Sequence, residues 1–511
     1  MKLSLEGITD KGYLEKGYAL PTYDIEAMRE RTLNAPTWLH FGAGNIFRAF
    51  PAADLDTMLC NGDTDKGVIV AESFDEEILE KAYHPFDELS LLVTLKSDGQ
   101  VEKKVVASVA ASFSADPAHA DFEKLKAVFT APSLQMVSFT VTEKGYGVYD
   151  ADFENPVCIM SRVTKLLYER YLLNAAPLTL LSMDNCSHNG DKIKAAVTEI
   201  ATKWVEEGKC DKGFLAYVTH PGTLSYPWSM IDKITPRPDE KVREMLKADG
   251  FSDTELIHTK KNSFTAAFVN AEETEYLIVE DSFPGGRPNL EKGGVLFTKR
   301  ETVDKVERMK VCTCLNPIHT ALAIFGCLLG YTLISEEMKD ADLNAFATKL
   351  AYKEALPVVT SPGIIDPKAF LNTVLTVRLP NPFMPDAPQR IATDTSQKLS
   401  IRFGETIKAY MADDKLDVNS LELIPLVLAG WLRYLMALDD NMQPFELSAD
   451  PMLDTLLPLV KAGRFEDILA DEKIFGVNLE KAGLKAKVLN NLQKLSAGKG
   501  AVRKTLKEAV Q

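Results

Sequence analysis

A short apolar run that ends in two closely spaced glycines and passes straight into a helical pattern limits this chain to few folds. Residues 37–41 form that run, Gly42-Ala43-Gly44-Asn45-Ile46-Phe47-Arg48 follows it, a helical pattern continues to about Leu59, and a second run covers residues 67–71. Strand, helix and strand in this order make a βαβ unit within a parallel sheet. Gly42 suits the tight turn and Gly44 lets backbone approach a pyrophosphate closely. Gly42, Gly44, Asn45, Ile46, Phe47 and Arg48 are therefore candidates for holding a dinucleotide at a helix N-terminus. The third glycine of that fingerprint is absent, and Phe47 stands in its place. The motif by itself leaves a plain strand-turn-helix open beside the cofactor reading. Glu72 ends the second run, where a carboxylate can accept hydrogen bonds from an adenosine ribose, and Asp75, Glu76 and Glu77 follow. Such an acidic end repels a 2'-phosphate and selects NAD over NADP; the other reading is a solvated acidic helix start.

The rhythm of short strands and helices persists to about Glu280. LSLLVTL and VEKKVVASV flank residues 96–100 as a hairpin with a longer turn, and QMVSFTV, LTLLSM, GFLAYV and EYLIVE read as further strands. After the Gly/Pro loop EDSFPGGRP the period changes. From about Thr302 it is helical, with Val303, Val306 and Met309 on one face and amphipathic stretches to Gln511. The exception is RLPNPFMPDAP, whose prolines at 380, 382, 385 and 388 forbid a regular helix. The expected fold class is α/β, with a Rossmann-like dinucleotide-binding domain over residues 1–296 and a mostly helical domain over 297–511. The boundary is expected within 285–300, and the active site between the two domains.

Residues 309–331, MKVCTCLNPIHTALAIFGCLLGY, carry the strongest chemical signal. Pro317 fits the first helical position and Asn316 the N-cap, so a helix is expected from there to about Gly330, with Lys310, Asn316 and His319 just before and at its start. A lysine in an apolar pocket at a positive helix end can serve as a base; the alternative is a capped core helix preceded by a surface lysine. Cys312, Cys314 and His319 are close in sequence, but no fourth ligand is near and no CxxC occurs, so no metal is expected. Seven cysteines at irregular spacing do not make a disulfide framework, which fits a reducing cytoplasm.

Composition narrows the partners. At 511 residues and 46% hydrophobic content the chain can bury large cores. A net charge of -15 with no basic cluster argues against nucleic acid and anionic membrane, which leaves a small molecule as the default substrate. The first residues show no export signal. The apolar run 320–334 is too short to span a bilayer and the run 423–438 is interrupted by Arg433, so both are expected to be buried helices. No GK[ST] follows the glycine loop, which disfavours phosphoryl transfer.

Several segments together resemble the polyol-specific long-chain dehydrogenase/reductase family, the group of mannitol 2-dehydrogenase, arabinitol dehydrogenase, fructuronate reductase and tagaturonate reductase. HFGAGNIFRAF is similar to its cofactor loop, TEKGY at 142–146 to a turn, SMDNCSHNG at 182–190 to its DN and NG segment, and YPWSMIDKITP at 226–236 to its substrate-domain signature. VEDSFPGGRP at 279–288 and QRIATDTSQKL at 389–399 continue the series in the family's order. The resemblance implies an NAD-dependent, metal-independent oxidoreductase that interconverts a secondary alcohol and a ketone on an open-chain sugar derivative. The substrate would be a polyol such as mannitol or an aldonate such as mannonate. It implies Lys310 as general base, Asn185 and Asn316 as the pair holding the reacting oxygen, His319 on substrate hydroxyls, Glu307 as proton relay, and Asp232 and Arg390 as substrate ligands. The SQKL end is similar to the uronate reductases, where Lys398 with Arg390 would pair a substrate carboxylate. A monomer or small homo-oligomer is expected.

One departure stands out. The family places five steps between lysine and asparagine, whereas Lys310 to Asn316 is six. Within one continuous α-helix an added residue turns the lysine by about 100°. Pro317 disfavours helical backbone at Asn316, so the helix carrying Glu307 and Lys310 is expected to break there and absorb the extra residue. The competing class is a non-catalytic NAD-binding protein of the same fold, for which the added residue is the only support.

Overall fold

The computed structural model describes residues 1–511 as two compact units, one of Met1–Lys96 with Gln100–Asp304 and the other of Ser97–Gly99 with Lys305–Gln511.

The first unit is built on six strands, β1 (Trp38–Phe41), β2 (Val68–Glu72), β3 (Val109–Ser114), β4 (Met136–Phe139), β5 (Leu178–Ser182) and β6 (Leu224–Ser225). They pair in the order β3-β2-β1-β4-β5-β6, and every pair is parallel. This is the doubly wound order of dinucleotide-binding sheets. A parallel sheet covered on both faces buries every strand position, and all four residues of β1 are buried, the polar His40 among them. Leu39, Phe41, Val137 and Phe139 pack to one side with Ile193, Val197 and Ile200. Trp38, Val68, Val70 and Met136 pack to the other with Phe47, Leu55 and Met58. The helical pattern expected after β1 is present but split at Phe50 into α1 (Asn45–Ala49) and α2 (Pro51–Asn61). The hairpin at 96–100 forms as expected: Ser90–Leu95 and Val101–Val106 pair antiparallel with Leu95 opposite Val101.

One strand assignment is corrected. GFLAYV lies in α5 (Lys212–Thr219), which follows α3 (Ile159–Leu173) and α4 (Asn189–Glu206). The Asp211 carboxylate caps it, accepting from Gly213 N at 2.6 Å and Phe214 N at 3.1 Å, and Phe214, Tyr217 and Val218 form the buried face. A six-residue apolar run has no period long enough to separate strand from helix, and the aspartate cap was the deciding signal.

The second unit is helical, as its period requires. The helices used below are α6 (Arg300–Arg308), α7 (Asn316–Leu329), α8 (Ile334–Glu337), α9 (Pro388–Ile391) and α10 (Leu423–Tyr434). The helical run Arg300–Leu329 contains an 18-residue window apolar enough to cross a membrane, but 83% of that window is buried inside the protein, as in a core helix. Every residue of α10 is buried. Arg433 is accommodated there because its guanidinium donates to the carbonyls of Leu438 at 2.6 Å, Asp439 at 3.1 Å and Leu495 at 3.3 Å.

Candidate active site

The glycine loop in the first unit has the geometry its sequence implies. Gly42 sits at φ +113°, where a Cβ would lie 2.4 Å from the Thr140 carbonyl oxygen, and its amide donates to the Ala71 carbonyl at 2.9 Å. The turn is thus wedged between β2 and the end of β4, with no room for a side chain. At Gly44 a Cβ would meet nothing within 4 Å, so open space faces the backbone there. Asn45 donates through Nδ2 to the Phe264 carbonyl at 3.0 Å, while its Oδ1 is buried without a partner. Open backbone beside an orphaned buried acceptor fits a ligand with hydroxyl and phosphate groups, as a dinucleotide has.

Three cofactor assignments are corrected in detail. Phe47 is fully buried and stacks on the His40 ring at 3.9 Å. That ring bridges Ser138 Oγ at 2.6 Å and Thr140 Oγ1 at 2.9 Å, and burial keeps it neutral by pushing its pKa down to about 3. Ring stacking therefore replaces the close helix–strand contact that a third glycine would give. Arg48 is buried too, and its guanidinium donates to Thr265 Oγ1 and to the carbonyls of Ala266 and Ala267 at 2.9–3.1 Å. Glu72 is 5% exposed. Its Oε2 accepts from Ala43 N at 2.7 Å, and its Oε1 accepts from the amides of Ser73, Phe74 and Asp75 at 2.7–3.2 Å. A carboxylate so engaged holds the loop in shape, so the side chains of Phe47, Arg48 and Glu72 support the cofactor loop from behind.

The DN and NG motif has a similar logic. Asp184 accepts from Val141 N and Thr142 N, both at 3.0 Å, and from Tyr146 Oη at 2.5 Å, which fixes the TEKGY turn with Thr142 at φ +63°. Asn189 is buried and exchanges bonds with Ser229, and a Cβ on Gly190 would strike the Tyr226 carbonyl oxygen at 2.4 Å. These clamps leave Asn185 exposed between them. Asp232 closes the strand Ser229–Asp232, in register with Tyr276, and is buried.

In the second unit Lys310 is buried at 5% exposure, which removes the surface-lysine alternative. The expected break before Asn316 takes a particular form. A π-helical turn, Met309–Cys314, continues α6, and the Leu315 amide donates to the Lys310 carbonyl five residues back at 3.1 Å. A π turn holds one residue more than an α turn, so it absorbs the added step between lysine and asparagine. Leu315 alone leaves the helical region, at φ −127° and ψ −64°, and Asn316 is the first residue of α7. The N-cap assignment is therefore shifted by one: Leu315 is the cap, and no side chain caps the helix. The C-terminus falls at Gly330 as expected, at φ +80°. Glu307 is half-buried one turn before Lys310, and Asn316 and His319 are half-buried in the first turn of α7.

Sequence reasoning missed Asp386. Its carboxylate lies 2.6 Å from His319 Nε2 and also pairs with Arg390 one turn away in α9. Burial alone would raise its pKa, but His319 and Arg390 outweigh that and hold it below the ordinary carboxylate value. One anion thus fixes two candidate substrate ligands. The only local sign was the four-residue spacing to Arg390. Lys398 is half-buried and spends donors on the carbonyls of Ile391, at 3.4 Å, and Thr393.

Behind this group lies Glu337 in α8, fully buried with neither carboxyl oxygen hydrogen-bonded. Gly326 in α7 makes its space, since a Cβ there would sit 1.9 Å from Glu337 Oε1. Burial, with Asp386 and Asp340 adding, pushes the Glu337 pKa up to about 9. The folded protein therefore keeps a proton that the unfolded chain releases above its ordinary value of 4.5. This contribution is complete below that value and is lost as pH rises through about 9. Glu337→Gln is expected to flatten the fall of stability between pH 5 and 9 by about 1.4 kcal/mol per pH unit. Parallel curves for parent and variant in denaturant unfolding across that range would show that Glu337 is ionised when folded.

A parallel sheet in doubly wound order with a fitted glycine loop, and a helical unit with a buried lysine on the turn preceding α7 and a histidine close to a carboxylate in the first turn of α7, are the features of a two-part nucleotide-dependent dehydrogenase class. Residues 36–292 match the mannitol dehydrogenase Rossmann domain and residues 302–496 the mannitol dehydrogenase C-terminal domain, and the chain belongs to the mannitol dehydrogenase family. A D-mannonate oxidoreductase of Thermotoga maritima is 47% identical over 537 aligned positions, covering 100% of this chain and 99% of the relative. Two solved structures share the fold at 24% identity. One is a D-sorbitol dehydrogenase in substrate-free form, with a TM-score of 0.81 over 97% of this chain and 98% of that one. The other is a Pseudomonas fluorescens mannitol 2-dehydrogenase in ternary complex with NAD and D-mannitol, with a TM-score of 0.70 over 100% and 99%.

Proposed function

We propose that the protein is an NAD-dependent dehydrogenase of open-chain sugar derivatives, with an aldonate such as D-mannonate and its keto-uronate as the first candidate pair and a polyol with its ketose as the second. The observation that carries this reading is Lys310, buried on the π turn that precedes α7, whose first turn carries Asn316 and His319. Neutral Lys310 takes the proton of the substrate hydroxyl as the carbon loses hydride. Asn316 and Asn185 donate amide N–H bonds to the oxygen as it gains negative charge. His319, its ring fixed by Asp386, orients a neighbouring hydroxyl. Glu307 passes the proton from Lys310 toward solvent. Asp232 and Arg390 hold the rest of the chain of hydroxyls. The dinucleotide, when bound along Gly42, Gly44 and Asn45, supplies the hydride acceptor. In reduction protonated Lys310 is the acid.

Proton handling by lysine and two amides needs no metal, so turnover is expected to survive prolonged chelation. The non-catalytic reading rested on the added residue before Asn316, and the π turn gives that residue a place. Incubation with NADH and a panel of keto-uronates and ketoses, followed by absorbance, is expected to show oxidation of NADH with keto-uronates fastest. No consumption with any of them would sink the dehydrogenase reading, and faster turnover of fructose or mannitol than of fructuronate or mannonate would decide for the polyol pair.

A further inference from the structure

Three cations, Arg390, Lys398 and Arg402, lie in α9 and the chain that follows it, and carboxylates act on the first two. Arg390 is tied to Asp386, which already faces His319. Lys398 is anchored on two carbonyls, and Asp394 and Asp450 act on it. Asp450 is itself engaged by Ser396 at 2.5 and 2.8 Å. One turn beyond, the Arg402 amide donates to the Lys398 carbonyl at 3.0 Å. The Arg402 guanidinium donates from Nη1 to Thr320 Oγ1. Thr320 adjoins His319 in α7, and its hydroxyl donates to the Asn316 carbonyl at 2.9 Å. Arg402 therefore stands against the same helical turn that carries Asn316 and His319.

No carboxylate pairs with Arg402; burial is what acts on it and brings its pKa down to about 10. Burial, with Arg402 and Arg390 adding, lowers Lys398 as well. A half-buried guanidinium with no carboxylate of the protein paired to it, close to Lys398, is suited to take an anion. Thr320 occupies one donor and leaves the others for a planar, bidentate acceptor, which a carboxylate is. The assignment of the substrate carboxylate to Lys398 with Arg390 is less well served. Arg390 already holds Asp386, and Lys398 has spent two of its three donors on backbone.

We propose that Arg402 receives the carboxylate of the substrate and makes the protein selective for sugar acids over neutral polyols. The proposal rests on the dehydrogenase reading of the Lys310 site, and its test separates the two. Arg402→Met is expected to lower kcat/KM for D-mannonate with NAD by about 10²-fold or more, while any turnover of D-mannitol stays within about twofold of the parent. Arg402→Lys keeps the charge and loses the fork, and is expected to lose about tenfold on D-mannonate alone. It also guards against a methionine variant that does not fold. Calorimetric titration of D-mannonate and of D-mannitol without cofactor gives a readout independent of turnover, in which only D-mannonate binding should weaken. Equal losses on both compounds, or unchanged D-mannonate binding in Arg402→Met, would overturn the assignment. Binding of D-mannonate that depends on Arg402 in a protein that oxidises neither compound would keep the anchor and overturn the dehydrogenase reading. Oxidation of D-mannonate indifferent to Arg402 would do the reverse.

Discussion

Lys310→Met is expected to lower kcat for alcohol oxidation by about 10²- to 10⁴-fold while leaving NADH binding unchanged. Methionine suits the test because it is unbranched and fills the space of a buried lysine stem, and Lys310 is 5% exposed. The backbone of the π turn should survive, since its defining bond runs from the Leu315 amide to the Lys310 carbonyl and involves no side chain. The loss would then report proton transfer and not position. Lys310→Ala, which does vacate that volume, should lose activity similarly and recover part of the rate when small primary amines are added. Near-normal turnover of Lys310→Met would mean that the base lies elsewhere, and His319, already beside Asp386, is the first residue to replace.

Gly42→Ala is expected to destabilise the first unit by about 3 kcal/mol and to weaken NADH binding by tenfold or more. Two costs add at this position. The backbone is at φ +113°, where L side chains are strained, and the new Cβ would lie 2.4 Å from the Thr140 carbonyl oxygen and 2.9 Å from Thr140 Oγ1. Thr140 cannot recede easily, because its amide donates to the Phe41 carbonyl at 2.9 Å and its Oγ1 contacts His40. Gly44→Ala provides the contrast. Its backbone is extended at φ −75° and ψ 176°, and a Cβ would meet nothing within 4 Å. That variant should unfold at the parent's temperature and differ only in cofactor affinity. Equal thermal stability for Gly42→Ala and the parent would show that the loop takes another path.

Much of the fold was legible because it follows from local pattern. Residues 37–41 and 67–71 announced β1 and β2 to within a residue, the Gly99 turn set the hairpin, and the change of period after Gly286 announced the helical unit. GFLAYV was misread because six apolar residues fit both periods, and only the Asp211 cap tells them apart. At the site, Lys310, Asn316 and His319 were legible from a lysine and a proline set about an apolar helix. Asp386 and Arg402 were not, because each meets α7 from a segment far along the chain.

The sequence by itself determined most of the backbone. Sterics at Gly42 and Pro317 and the period of apolar residues act within a few positions, so they can be read from a few positions. Only the tertiary structure decided what the polar side chains do. Glu72 was legible as an acid at the end of a strand, but its four amide partners come from the loop at Ala43 and the turn at 73–75. Arg48 was legible as a cation in a cofactor loop, yet the carbonyls of Ala266 and Ala267 take it inward. Glu337 looked like any helical glutamate until packing against Gly326 removed its water and left it holding a proton. Desolvation and the choice of a hydrogen-bond partner depend on which distant segments arrive in the folded chain, and neither has a signature in local spacing.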